Sequence, residues 1–241
     1  MRCENTATLN AAHTSPEPEN RLGLVMAAGF STRFGTQDKR CAQYAGTTLL
    51  NASLNNLLPA FKTADGDYQL AVVVRPEDSV ASLAIPPQCT IIRAANACDG
   101  LSSSISDAVT FISQQPRWQH IQTLALMLGD MPALQTETVN KLAQYAHQNR
   151  IIRPAFRQQP GHPVFFGRRF WPELMTLSET TSDPGQNYGG QRSDATGATS
   201  VGDTGARKVI KQHASEFSLI PVEDEGVIFD IDTPQQIIPT D

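Results

Sequence analysis

Three short stretches of this sequence hold residues whose types and spacing suit phosphate chemistry. The first is Gly29-Phe30-Ser31-Thr32-Arg33-Phe34-Gly35-Thr36, with Lys39 closing it. Glycines and hydroxyl residues leave backbone N–H groups bare, and Arg33 and Lys39 bring cations to the same loop. That combination holds polyphosphate. The second stretch is Gly129-Asp130-Met131-Pro132. Asp130 offers a hard oxygen ligand of the kind Mg²⁺ takes, a carboxylate beside phosphate oxygens. The third is Phe229-Asp230-Ile231-Asp232-Thr233-Pro234, where Asp230 or Asp232 supplies a second carboxylate to the same ion. Two common phosphate motifs are excluded by spacing. The P-loop reads G-x-x-x-x-G-K-[ST], whereas five residues separate Gly29 from Gly35 and no hydroxyl residue follows Lys39. The dinucleotide fingerprint needs a third glycine at its own spacing, and only Gly29 and Gly35 are available.

The elements that must position these residues are legible as alternating strands and helices. Leu22–Ala28 is an apolar run without charge, a strand buried on both faces, and the first loop leaves from its end. Thr47-Thr48 caps a helix over Leu49–Leu58, ended by Pro59. Gln69–Arg75 is a strand, Pro76 opens a short helix, and Cys89–Arg93 is a third strand. After Gly100, Ser102-Ser103-Ser104 opens a helix in which one serine serves as N-cap. Ile121–Leu128 is a strand that delivers Asp130, and Thr136–His147 is a helix. This alternation means an α/β fold, a mostly parallel sheet with helices on both faces. In such sheets ligands bind beyond the carboxyl ends of the strands, so Asp130 and the first loop face one ligand.

The second half supplies further candidates. Ile151–Phe156 and Pro163–Phe166 read as strands around a turn that holds Gly161 and His162, with Arg153 beside it. Phe170–Leu177 and Gly205–His213 read as helices, and Ser218–Val222 and Val227–Ile231 as closing strands. On an extended chain Asp230 and Asp232 point to the same side. Ser102 and Ser103 are candidates for reading a base or ribose. Asp203 and Arg207, at a helix start, are candidates for docking a second, anionic substrate.

Composition bounds the class. With 241 residues, a net charge of −5 and pI near 5.5, the chain lacks the basic balance of a nucleic-acid binder. No apolar run approaches the ~18–20 residues of a membrane span. Residues 1–20 read as a disordered leader, and 21–241 as a single domain with a mobile insertion near 179–200, where nothing aliphatic is larger than alanine. The four scattered cysteines lack metal-ligand spacing and read as thiols of a cytoplasmic protein.

Taken in order, Met26-Ala27-Ala28-Gly29 with Ser31, Arg33, Gly35 and Lys39, then Leu101-Ser102-Ser103-Ser104, then Gly129-Asp130-Met131-Pro132, are similar to the molybdenum cofactor cytidylyltransferases. Arg153-Pro154, Gly161-His162-Pro163, Gly202-Asp203-Thr204-Gly205-Ala206-Arg207 and Asp230-Ile231-Asp232-Thr233-Pro234 extend the resemblance to about Pro234. It implies a Rossmann-like nucleotidyltransferase fold, Mg²⁺ dependence, and transfer of CMP from CTP to the phosphate of molybdopterin-type cofactor. A molybdoenzyme or its chaperone would be the recipient. Ala28, glycine in guanylyl relatives, points to CTP. Arg33, Lys39 and Asp130 would be catalytic, with Ala27, Ala28 and Gly29 along the nucleotide. The rivals are a related NTP transferase using another nucleotide or phosphate acceptor, and a nicotine-blue type oxidoreductase on the same fold. A redox assay with a reduced nicotinamide separates the latter. A third rival is a chaperone-like protein that binds the cofactor without transfer and would tolerate loss of Lys39 or Asp130.

Overall fold

In this computed structural model, residues 20–30, 34–35, 37–178 and 204–237 are described. Among the described residues the first strand is β1 (Arg21–Met26), followed by a two-stranded hairpin, β2 (Gln43–Tyr44) and β3 (Thr47–Thr48), and helix α1 (Leu49–Leu57). Strands β4 (Leu70–Val74) and β5 (Thr90–Arg93) follow, then α2 (Leu101–Gln114), β6 (Thr123–Leu128) and α3 (Thr136–Ala143). Beyond them come β7 (Ile151–Phe156), β8 (Gln159–Pro160), β9 (Val164–Gly167), α4 (Trp171–Met175), α5 (Thr204–Gln212) and β10 (Phe217–Pro221). The main sheet has the order β10-β7-β9-β6-β1-β4-β5, with β8 pairing β7. β1 is an interior strand, between β6 and β4 and parallel to both. β9 runs antiparallel to β6 and β7. The fold is the expected Rossmann-like α/β nucleotidyltransferase architecture, mostly parallel with helices on both faces.

Period-two alternation divides each central strand between two cores. Val25, Val72, Val74, Ala125 and Met127 meet Leu50, Leu54 and Leu57 of α1 and Val139 and Leu142 of α3. Leu22, Leu24, Ala71, Val73, Leu124 and Leu126 meet Ile105, Val109 and Ile112 of α2, Leu174 of α4 and Val209 of α5. Leu22, Leu24 and Val25 have no exposed surface, and each such burial stabilises by about 1.5–3 kcal/mol. A strand this well covered fixes the point from which the first loop departs.

Several local expectations change. The residues after Pro76 form turns rather than a helix. α3 stops at Ala143, where Tyr145 and Ala146 donate to carbonyls three residues back, at Leu142 and Ala143. No serine caps α2. Gly100, at φ 106°, is the N-cap, and Ser104 Oγ donates to its carbonyl at 3.1 Å. Val227–Ile231 is not a strand. Its apolar alternation reads as one, but its backbone partners are loops: Val227 O accepts from His162 N at 2.7 Å and Ile231 N donates to Asp130 O at 3.1 Å.

Candidate active site

The site forms where the carboxyl ends of β1 and β6 meet. Gly129 N, one residue past β6, donates to Met26 O at the end of β1 at 3.0 Å, which brings Asp130 beside the loop that leaves β1. Lys39 opens a short 3₁₀ turn, Lys39–Cys41, whose N-cap Asp38 accepts from Arg40 N. Its aliphatic stem is buried, and its ammonium donates to Asp130 Oδ2 at 2.6 Å and to Asp232 Oδ1 at 3.1 Å. Lys39 and Asp130, 91 residues apart, are thus in direct contact. A small cavity of about 60 Å³ opens here, lined by Ala27, Gly29, Lys39, Arg40, Gly129 and Asp130 among others. A roomier hollow of about 880 Å³ lies at the amino ends of the strands, against Gln69, Thr90 and His120. The Lys39–Asp130 contact lies instead at the carboxyl end, the end at which open α/β sheets take ligands.

The segment bearing Asp230 and Asp232 reaches this point by threading between two loops. Asp224 accepts from Gly226 N at 2.8 Å and from Gln135 N at 3.0 Å, pinning the segment to the start of α3. A Cβ on Gly226 would lie 2.2 Å from Ala133 O, and one on Gly161 would lie 2.1 Å from Val227 O. Only glycine permits either approach. Gln236 then fixes the carboxylates' backbone: its Oε1 accepts from Asp232 N and Thr233 N, each at 2.8 Å, and its amide donates to Asp230 O. Burial, then the neighbouring Asp130 and Asp232 charges, raise the Asp230 carboxyl above the usual carboxylate range, with Lys39 opposing.

These residues fit a hard divalent cation. Oδ1 of Asp130 is buried without a hydrogen-bond partner, and a side-chain cation already sits between Asp130 and Asp232. Carboxylate oxygens of this kind suit Mg²⁺ or Mn²⁺. Among the described residues no three His, Cys, Asp or Glu side chains converge on one point. The carboxylates in contact with Lys39 are Asp130 and Asp232.

The other candidates are placed as follows. Ser31, Arg33 and Asp203 lie outside the described residues, as do residues 1–19 and the 179–203 stretch. Gly29 and Gly35 are exposed on the loop. Ala28 is 3% exposed and packs in the α2-side core. Its methyl therefore faces the core rather than the cavity, which Ala27 lines. Ser102 and Ser103 are buried in the first turn of α2. Arg153 Nε donates to Gly161 O at 2.8 Å, tying the loop to β7, and His162 N donates to Val227 O, bracing the loop against the carboxylate segment. Arg207 lies on α5, which packs against α2 and α4. Sequence reasoning missed Arg40, Asp78, Arg75 and Gln236. The only local signal was the Asp38-Lys39-Arg40 run, because Arg40's other side-chain partner, Asp78, is 38 residues away.

Comparison with known proteins accords with the fold. The family model described as the MobA-like NTP transferase domain matches residues 23–195. The chain belongs to that family. Bifunctional protein GlmU of Granulibacter bethesdensis is 25% identical over 164 residues, which are 67% of this chain and 33% of that protein. The chain thus spans about a third of that curated relative's length. Among solved structures, the Rv0371c complex with manganese from Mycobacterium tuberculosis H37Rv superposes with TM-score 0.60 at 22% identity, covering 90% of this chain and 95% of the other. Molybdopterin-guanine dinucleotide biosynthesis protein A from Archaeoglobus fulgidus superposes with TM-score 0.59 at 15% identity, covering 90% and 94%. Both are likenesses of fold. No helix among the described residues is long and apolar enough to cross a membrane.

Proposed function

We propose that this MobA-like NTP transferase is a cytidylyltransferase, moving CMP from CTP to the phosphate of a molybdopterin-type cofactor with release of pyrophosphate. The observation that carries the reading is the Lys39 ammonium held by Asp130 and Asp232 at the carboxyl edge of the sheet. A cation suited to neutralising phosphate beside two carboxylates suited to a divalent metal supports nucleotidyl transfer. The likeness to a molybdopterin-guanine dinucleotide biosynthesis protein supports the acceptor class, and the Ala27-Ala28-Gly29 sequence supports CTP.

An oxygen of the acceptor phosphate forms a bond to the α-phosphorus as the bond from that phosphorus to the β-bridging oxygen breaks. Pyrophosphate carries the electron pair away. The protein contributes position and charge rather than a covalent intermediate. Amides of the loop after β1 hold the triphosphate, Arg33 takes the departing pyrophosphate, and Lys39 neutralises charge at the reacting phosphates. Asp130 with Asp232 or Asp230 would hold Mg²⁺, which when bound supplies charge neutralisation at the α-phosphate. The acceptor needs no general base, since a phosphate monoester is mostly ionised near neutral pH.

The test is pyrophosphate release with each NTP in turn, with and without molybdopterin cofactor. CTP should be preferred over GTP, and Ala28→Gly, which frees the backbone that the buried Ala28 methyl props, should weaken that preference. Equal rates with CTP and GTP would retire the cytidylyl assignment. Release independent of the cofactor would retire the acceptor.

A further inference from the structure

Arg40 follows Lys39 in the chain but faces a different task. Its guanidinium has five N–H donors, and every one is taken. Nε donates to Asp38 Oδ1 at 2.9 Å, Nη2 to Asp38 Oδ2 at 2.6 Å and Asp78 Oδ1 at 2.7 Å, and Nη1 to Asp78 Oδ2 and, at 2.8 Å, to the Ala27 carbonyl. The residue is 6% exposed. Burial alone would lower its pKa, yet the bonds to Asp78 and Asp38 hold it above its ordinary value. No donor remains for a phosphate.

Its partners are fixed in turn. Asp78 accepts from Arg75 N at 2.8 Å, and Arg93 Nη1 donates to the carbonyls of Pro76 at 2.7 Å and Asp78 at 3.0 Å. From that braced loop the Arg75 guanidinium reaches Ala28 O at 3.3 Å and also Gly29 O. Three consecutive carbonyls, Ala27, Ala28 and Gly29, are therefore each held by a guanidinium. In a planar trans peptide the N–H of the next residue points opposite to the carbonyl. Holding those carbonyls aims the amides of Ala28, Gly29 and Phe30 the other way, and none of the three donates a backbone hydrogen bond among the described residues.

We propose that Arg40, locked to Asp78 and seconded by Arg75, is a positioning residue that presets these three amides for the triphosphate. The proposal rests on the nucleotidyltransfer reading only in naming that ligand. Lysine cannot replace Arg40, because its three donors lack the planar fork that grips two carboxylates at once.

The test compares wild type, Arg40→Lys and, should the first fail to fold, Asp78→Asn. Steady-state pyrophosphate release and calorimetric binding of inorganic tripolyphosphate are measured side by side. The expected result is a rise of about ten- to a hundredfold in KM for the NTP, with kcat little changed and tripolyphosphate weakened in parallel. A fall in kcat that only tracks lost folded protein, with KM and tripolyphosphate affinity unchanged, overturns the proposal. So does a wild type that binds no tripolyphosphate. A wild type that binds tripolyphosphate, loses it in the variants and yet turns over no NTP keeps the clamp and retires the nucleotidyltransfer reading.

Discussion

The Lys39 ammonium lies between Asp130 and Asp232, and in the proposed site a divalent cation would compete with it for those carboxylates. Replacing Lys39 with methionine keeps the apolar stem and deletes the charge. The Lys39–Asp130 bond, at 2.6 Å with both groups mostly buried, is charge-assisted, and such bonds contribute about 1.5–3 kcal/mol net. The Asp232 contact adds little, since that carboxylate is 39% exposed and the separation is 3.1 Å. Removing the competitor should therefore tighten Mn²⁺ binding to the nucleotide-free protein by about 10- to 150-fold. Electron paramagnetic resonance of free Mn²⁺ during titration of the full chain reads this without any turnover. Lys39→Met should nevertheless be a poor enzyme, because the charge that neutralises the reacting phosphates is gone. An unchanged or weakened Mn²⁺ affinity would refute the placement of the metal between these carboxylates.

Asp130→Asn should lower kcat by about a thousandfold or more while leaving the circular dichroism spectrum intact, the loss expected when charge stabilisation at a reacting phosphate is removed; near-normal turnover would take Asp130 out of the mechanism. Asp230 is disfavoured as a carboxylate by burial and by the Asp130 and Asp232 charges, so Asp230→Asn should raise the metal-free melting temperature near pH 7 by about 2–4 °C for each kcal/mol relieved. A lowered melting temperature would contradict that account. Asp38 and Asp78 behave oppositely: burial pushes both carboxyls up, but their bonds to Arg40 prevail and hold them below the usual value of 3.8. Depressed carboxyls stabilise above their unfolded pKa and lose that contribution as pH falls through the folded one. Urea unfolding should therefore show wild type losing stability below about pH 4 more steeply than Asp78→Asn; parallel curves would show that the clamp adds no acid-sensitive stability.

What the sequence alone determined about this protein is what short range encodes. The apolar run ending in Ala28, the glycine loop closed by Lys39, and the strand delivering Asp130 each carry their signal within a few residues. Alternation of periods 2 and 3.6 then ordered them into a mostly parallel sheet, whose carboxyl edge is where ligands bind. Tertiary structure alone decided the rest. β9 enters antiparallel between β6 and β7, a placement no local pattern marks. Val227–Ile231 alternates like a strand, yet Gly226 and Gly161 let it thread between loops, which brings Asp232 to a lysine 193 positions away. Gly100 displaced the serines as the cap of α2. Arg40 reads in the sequence as one more cation beside Lys39, and only the arrival of Asp78 across the end of β4 makes it a saturated clamp. Side-chain pairing at long separation depends on where the topology sets two backbones down, and residue types in sequence do not carry that information.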